Sequence, residues 1–304
     1  MTKQLVDLLG HSLDDLRASG IATPVASGLR WGEGPAFIPE IGAWIFSDIP
    51  NNRILSYSQD RGTCVFRQPS NFANGHYPLR NGGFASCEHL TRSVTVTDPA
   101  GVVSLVCDEF AERKLNSPND VVEAADGALW FTDPTYGIIS DLEGKRAECE
   151  QLRKRVYRFD RRTGELSAEI DALAMPNGLC FSSRGTRLYV ADSGAEMGPE
   201  LGFDPHGPRD VFECAIDLNG RVAGSIRHFC HIEHGVPDGM RCDAEDNLWV
   251  ATGRGVECYG PDGGFRGVIS SREVTSNLAF GGVAGDEVMI TRETDAWLIR
   301  LRDH

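Results

Sequence analysis

The sequence predicts an all-β protein, a six-bladed β-propeller with a short N-terminal helical arm. Three observations favour this fold class: a strand-like phrase of five residues recurs six times, a polar turn phrase precedes each copy, and an alternating strand follows it. The recurring phrases end at residues 48, 88, 133, 192, 252 and 292. Their spacings of 40, 45, 59, 60 and 40 residues fit blades of about 40 to 50 residues with two insertions.

The elements follow in chain order. Residues 1–24 form the predicted arm, because five leucines between Leu5 and Leu16 lie near one face of a helix that Gly20 ends. Residues 25–304 form the predicted propeller domain. The second strands of the blades are predicted at residues 44–48, 84–88, 129–133, 188–192, 248–252 and 288–292. The third strands are predicted at residues 53–57, 93–97, 156–159, 211–214, 255–259 and 297–300.

The two long spacings mark insertions in neighbouring blades, at residues 134–155 and 193–209. Both follow the end of a second strand, so they lie on the same side of the predicted disc. We expect them to overhang one mouth of the channel and to shape a pocket there, although solvated loops without a role remain an alternative.

Composition excludes several partner classes. Thirty Lys and Arg residues against 44 Asp and Glu residues give a net charge of −14, which disfavours binding to nucleic acid or to an anionic membrane. No apolar run has the length of a membrane span, and Asp7, Asp14 and Asp15 interrupt any signal peptide, so we expect a cytoplasmic protein. The nine cysteines are scattered without a C-x-x-C pair, which predicts reduced and mostly buried thiols.

The turn phrases bring one oxygen-bearing side chain to the start of each inner strand. These side chains belong to Glu33, Asn74, Asn119, Asn177, Asp238 and Asn277. Because the inner strands of a propeller surround its channel, we expect all six to face one axial volume. Carboxylate and amide oxygens without thiolate or imidazole favour a hard divalent cation, with calcium first and zinc, manganese or magnesium as alternatives.

Ordinary turn chemistry is the competing interpretation. Asn-Gly, Asp-Gly and Pro-Asn pairs form turns in many proteins, and any one of these phrases alone would be read as a turn. A turn needs no particular charge, however, whereas Glu33 and Asp238 bring two carboxylates into a crowded channel. That arrangement is costly unless a cation neutralises it.

Five motifs together resemble one known family. They are residues 31–35 (WGEGP), 115–120 (LNSPND), 129–137 (LWFTDPTYG), 175–178 (MPNG) and 236–240 (VPDGM). In order and spacing they resemble the gluconolactonase, senescence-marker protein and luciferin-regenerating enzyme family, in its bacterial gluconolactonase branch, over about residues 25 to 303. The resemblance implies a six-bladed propeller with one catalytic divalent metal. It also implies the ligands, which are Glu33, Asn119, Asn177 and Asp238, and an activity, the hydrolysis of sugar lactones such as D-glucono-1,5-lactone.

The chemistry of a lactone agrees with such a site. Hydrolysis of this internal ester develops negative charge on the carbonyl oxygen, which a metal stabilises without a Ser or Cys nucleophile. The chain has no G-x-S-x-G elbow, which weakens a serine-hydrolase interpretation. We expect Asp238 to act as catalytic base as well as ligand, the alternative being a ligand only.

Four residues are candidates for substrate binding: Asn74, His89, Asn119 and Tyr136. Tyr136 could equally be a packing residue. His76 departs from the family pattern, and we expect it at the surface, with a place in the pocket as the alternative. The expected partner is a small sugar lactone, and the chain is a monomer or a homodimer. A hydrolase of other lactones or of phosphotriesters, and a non-catalytic binding propeller, remain rival functions. The sequence leaves open the natural lactone and the physiological metal.

Overall fold

The computed structural model describes residues 2–198 and 201–301, and in this part of the chain six four-stranded antiparallel sheets form the blades of a propeller. Blade 1 contains Gly32–Ile38, Ala43–Asp48, Arg53–Ser58 and Gly62–Arg67. Blade 2 contains Ala73–Pro78, Phe84–Glu88, Ser93–Thr97 and Val103–Cys107. Blade 3 contains Val121–Glu123, Leu129–Asp133, Arg155–Asp160 and Glu165–Ile170. In each blade the strands run from the inner to the outer edge in chain order.

The remaining blades repeat this plan with one change. Blade 4 contains Pro176–Phe181, Arg187–Asp192, Asp210–Ile216 and Val222–His231. Blade 5 contains Met240–Cys242, Leu248–Thr252, Gly255–Tyr259 and Phe265–Ser270. Blade 6 contains Thr275–Gly281, Glu287–Arg292, Asp295–Arg300 and, as its outer strand, Ala22–Ser27. The predicted fold class and the second and third strands are confirmed, with strand ends differing by at most two residues.

The N-terminal strand closes the ring of blades. Ala22 pairs with Ile299 and Ser27 with Asp295, so the beginning and the end of the described chain share one sheet. The predicted domain boundary between residues 24 and 25 falls inside this strand.

The predicted single N-terminal helix is wrong, because two short helices replace it, Thr2–Val6 and Leu13–Ala18. Gly10, with a φ of 89°, lies in the turn that separates the two helices, and the Ser12 side chain caps the second in a reciprocal pair with Asp15. Leu5, Leu13 and Leu16 are buried against blades 5 and 6, beside Trp249 and Trp297. Each buried leucine stabilises this packing by about 2 kcal/mol.

Short elements complete the description. A third helix spans Tyr136–Ile139, 3₁₀ turns span Pro39–Ile41 and Ile49–Asn51, and a small hairpin pairs Glu109–Phe110 with Arg113–Lys114. None of the helices in the described part of the chain is long and apolar enough to cross a membrane.

The second strands carry the core between blades. Trp130 and Trp249 occupy equivalent positions there, Trp44 lies one residue earlier in its strand, and all three are buried. The nine cysteines are free thiols, and six of them are buried, in agreement with the sequence prediction.

Candidate active site

The starts of the inner strands converge at one end of the channel around a cavity of about 460 Å³. Five predicted residues line it: Glu33, Asn74, Asn119, Asn177 and Asp238. We call these five residues the floor. The sixth member of the predicted ring, Asn277, does not line the cavity and instead contacts Glu33 from behind.

Backbone irregularities explain why these side chains face the axis. Strand pairing shifts register between Glu33 and Ala36, between Ala73 and His76, and between Pro176 and Leu179. Such bulges re-aim side chains that would otherwise alternate across a sheet. Asn119 and Asp238 lie just before their inner strands begin, so regular pairing does not constrain them either.

Glu33 is a buried carboxylate without a cationic partner among the described residues. Its Oε2 accepts hydrogen bonds from the Gly34 backbone N–H at 2.8 Å and from Asn277 Nδ2 at 3.0 Å. Burial raises the pKa of Glu33 to about 7, although these two bonds act in the opposite direction. The native fold therefore bears the cost of holding this group in its charged form.

Asp238 repeats this situation on the other side of the cavity. Its pKa is raised well above its ordinary value, first by burial and then by the charge of Glu33, while a hydrogen bond with the Asn177 side chain opposes the shift. Within the described residues Asp238 forms no ion pair with Lys, Arg or His. Two carboxylates thus repel each other across the cavity, and no ion pair within the described residues offsets this repulsion.

The donor set of the floor fits a hard cation. Asn119 and Asn177 are buried amides, and they face the cavity beside the two carboxylates. In residues 2–198 and 201–301, no group of three or more His, Cys, Asp or Glu side chains is arranged to hold a metal ion. Any cation bound by the floor would therefore depend on amide oxygens in addition to Glu33 and Asp238, which suits calcium better than zinc.

The acidic residues that end three second strands hold the loops of the floor in place. The backbone N–H of Arg30 donates to Asp48 at 3.0 Å. Two N–H groups, of Asn116 and Ser117, donate to Asp133, and two, of Ala174 and Met175, donate to Asp192, all at 2.8 or 2.9 Å. Each of these segments lies two or three residues before a floor residue. The recurrent Asp of the sequence motif is thus a loop anchor in blades 1, 3 and 4.

The two insertions cover the floor, as the sequence analysis predicts. Tyr136, Ile139 and Glu143 from residues 134–155, together with Glu196 and Phe203 from residues 193–209, line the same cavity. We call these two insertions the roof. The Tyr136 hydroxyl donates to the Ser193 backbone oxygen at 3.3 Å, so the two insertions contact each other.

The histidines occupy unexpected positions. His89 is buried and does not line the cavity; its Nδ1 is 2.8 Å from the backbone oxygen of Glu143, and its Nε2 is 3.4 Å from Asn74 Nδ2. Burial lowers the pKa of His89 to about 4, which keeps the ring neutral. A direct contact between His89 and a substrate stays a prediction.

The surface position expected for His76 is wrong. His76 is fully buried, with Nε2 at 2.9 Å from Ser47 Oγ and Nδ1 at 2.8 Å from Ser86 Oγ. Burial lowers the pKa of this ring to about 3. Two hydroxyl groups satisfy both of its nitrogens, and this allows a polar side chain to pack inside blade 2.

Sequence reasoning missed two acidic residues of the roof, Glu143 and Glu196. Burial, with a smaller contribution from the charge of Glu196, raises the pKa of Glu143 to about 7. The insertions have no internal repeat that would indicate which side chains face inward. Their length and their position after a second strand were the only signals.

Comparisons with known proteins identify the family of the chain. The model of the SMP-30/Gluconolactonase/LRE-like region matches residues 31–294. The gluconolactonase of Zymomonas mobilis subsp. mobilis is 29% identical over 287 residues, which are 86% of this chain and 77% of that protein. The pentonolactonase XacC of Haloferax volcanii is 25% identical over 277 residues, 88% of this chain and 83% of that protein.

A solved structure extends the likeness to three dimensions. A gluconolactonase from Xanthomonas campestris superposes with a TM-score of 0.82 at 30% identity, covering 92% of this chain and 89% of that one. The sequence motifs, the six blades and the family model covering most of the chain all agree. The chain therefore belongs to the SMP-30/gluconolactonase/LRE-like family.

Proposed function

We propose that this protein hydrolyses a sugar lactone, with D-glucono-1,5-lactone as the first candidate, in the cavity between floor and roof. The observation that carries the proposal is the pair of cavity carboxylates, Glu33 and Asp238, which lack a cationic partner in the described residues and stand beside amide oxygens. Relatives named gluconolactonase and pentonolactonase, with more than four-fifths of this chain aligned to each, support the same class of reaction.

The proposed ligands of one divalent cation are Glu33, Asn119, Asn177 and Asp238, and calcium is the first candidate. When bound, such a cation supplies Lewis-acid stabilisation of the developing oxyanion and lowers the pKa of nearby water. It would also neutralise the repulsion between the two carboxylates, which the fold leaves uncompensated.

The residues of the chain divide the remaining work. A water oxygen adds to the lactone carbonyl carbon, and the Asp238 carboxylate takes a proton from that water. The bond between the carbonyl carbon and the ring oxygen then breaks, and the same proton goes to the ring oxygen, giving a hydroxy acid. The Asn177 side chain orients the Asp238 carboxylate, and Asn277 together with Gly34 orients Glu33.

The test is proton release from a panel of substrates by protein that has been freed of metal and then reloaded. The panel contains glucono-1,5-lactone, an aliphatic lactone and a phosphotriester, and calcium, manganese, magnesium and zinc are restored one at a time. We expect turnover of the sugar lactone that chelation abolishes and one of these cations restores.

Three results would contradict the proposal. Full activity in a verified metal-free sample would remove the cation from the mechanism. Turnover of the phosphotriester alone would assign the same floor to a different hydrolase. A folded protein that binds a cation and hydrolyses none of the substrates would favour a non-catalytic propeller.

A further inference from the structure

Glu143 presents an unused hydrogen-bond acceptor to the cavity. Its side chain lines the cavity opposite the floor, and no hydrogen bond or ion pair within the described residues involves its carboxylate. The other roof carboxylate differs, because Glu196 Oε1 accepts a hydrogen bond from the Gly198 backbone N–H at 3.0 Å. Glu143 is therefore the acid of the roof that is free to contact a ligand.

The backbone around Glu143 is fixed from two sides. His89 donates from Nδ1 to the Glu143 oxygen at 2.8 Å, and the Lys145 N–H donates to the Gly137 oxygen at 3.0 Å. Gly144 packs so closely on the backbone oxygen of Gly137 that a Cβ atom at position 144 would lie 2.1 Å from that oxygen. The carboxylate thus projects from a rigid loop, which limits the entropy lost when it binds a ligand.

The same histidine orients a second acceptor. A backbone carbonyl only accepts hydrogen bonds, so His89 Nδ1 carries the proton and Nε2 offers a lone pair. Asn74 Nδ2 must then donate to Nε2, across the observed 3.4 Å. That assignment leaves Asn74 Oδ1 without a hydrogen-bond partner in the described residues, on a side chain that lines the cavity.

We infer that Glu143 determines substrate specificity by accepting hydrogen bonds from ring hydroxyl groups of the lactone, with Asn74 Oδ1 as a second acceptor. The inference rests on the proposed function and narrows its substrates to polyhydroxylated lactones. A lactone without hydroxyl groups leaves both acceptors desolvated and unpaired. A site that hydrogen-bonds a substrate hydroxyl strongly rejects an analogue without that hydroxyl. An apolar pocket rejects an analogue with an extra hydroxyl much less strongly.

The experiment compares glucono-1,5-lactone with δ-valerolactone, which has the same ring without hydroxyl groups. We expect Glu143→Leu to lower the ratio of the two kcat/KM values between about 10- and 100-fold, as for the loss of a hydrogen bond to a charged acceptor. Glu143→Gln keeps one acceptor oxygen, so its ratio should lie between those of wild type and Glu143→Leu. Glu148→Leu is the matched control, because Glu148 is an exposed residue of the same insertion, and we expect its ratio to stay within twofold of wild type.

His89→Phe tests the positioning role. It removes the bond to the Glu143 backbone and the acceptor for Asn74, so the same ratio should fall, because the loss of turnover is larger for glucono-1,5-lactone than for δ-valerolactone. Parallel losses on both lactones in Glu143→Leu and His89→Phe, with unchanged melting temperatures, would overturn the inference. A ratio that stays within twofold of wild type in Glu143→Leu would overturn it as well.

A binding measurement separates this inference from the proposed function. 1,5-Anhydro-D-glucitol has the hydroxylated ring but no carbonyl, so its affinity reports hydroxyl recognition alone. If wild-type protein hydrolyses neither lactone, the proposed function fails. Tenfold weaker binding of the glucitol by Glu143→Leu would still support the inference, and equal binding would overturn it.

Discussion

The floor and the roof of the cavity are built on different principles. Every floor residue occupies a repeated position at the start of an inner strand, and in three blades an aspartate holds the preceding loop. The roof consists of two unrelated insertions that contact each other through Tyr136. A repeated scaffold fixes the groups that every substrate needs, whereas unrepeated loops are free to differ with the substrate. We therefore expect the four proposed metal ligands of the floor to control the reaction itself, and the roof, together with Asn74, to control which lactone is accepted.

Asp238→Ala gives the largest expected effect. Removal of the proposed base and ligand should lower kcat/KM about 1000-fold on every lactone, with the fold retained. Steady-state kinetics on a hydroxylated and an aliphatic lactone, with circular dichroism as the check on folding, measures this. An activity loss confined to one lactone would break the division between floor and roof.

Asp192→Ala tests the support beneath the floor. It leaves the N–H groups of exposed Ala174 and buried Met175 without their acceptor and should lower the free energy of unfolding by about 1–3 kcal/mol. Activity should fall too, because Asn177 lies two residues after Met175 and depends on this loop for its position. In blade 5 the equivalent Thr252 Oγ donates to the Gly255 oxygen instead. Thr252→Val should therefore lower stability and activity less than Asp192→Ala does. Denaturation and kinetic assays measure the two effects, and equal losses in both variants would count against a special role for the aspartates.

Glu143→Gln tests the roof through the pH dependence of the free energy of unfolding. The native pKa of Glu143 is raised to about 7, so between about pH 4.5 and 7 the unfolded chain has lost a proton that the native state still holds. The free energy of unfolding therefore falls as the pH rises through this window, and glutamine removes this contribution. As the pH rises from 4.5 to 7.5, we expect the free energy of unfolding of metal-free Glu143→Gln to increase by about 2 kcal/mol relative to that of wild type. Urea denaturation at several pH values measures the difference, with Glu148→Gln as control; parallel curves would contradict the prediction.

Asn277→Ala gives the smallest expected effect. It removes one of the two hydrogen bonds to Glu33 Oε2 and leaves the bond from Gly34. A reduction of about 3- to 10-fold in kcat/KM is expected, against a much larger loss in Glu33→Ala. Should the two variants be equally impaired, Asn277 belongs to the floor in function even though it does not line the cavity.

The sequence predicted those parts of the molecule that repeat. Six copies of one phrase located the second strands, and the constant offset of the turns located Glu33, Asn119, Asn177 and Asp238 around one cavity. Repetition carries this information because equivalent positions in a propeller share one environment. The recurrent aspartates were visible in the sequence as well, but only the backbone N–H groups around them explain their purpose.

The parts that do not repeat were harder to predict. Glu143 faces the cavity because the backbone around it packs on His89 and Gly137, and such contacts leave no periodic signal. His76 is buried because Ser47 and Ser86, on a different strand or blade, satisfy its nitrogens. The split of the N-terminal helix was foreseeable, since Gly10 and the Ser12–Asp15 capping pair stand in the sequence.

The closure of blade 6 by Ala22–Ser27 has a consequence for synthesis on the ribosome. This strand keeps its edge unpaired until Asp295–Arg300 has been made. The contact of Asn277 with Glu33 joins residues 244 positions apart and forms only after Asn277 has been made. A nascent chain that stops before residue 295 therefore has five complete blades at most, and one that stops before Asn277 lacks a side chain that orients Glu33.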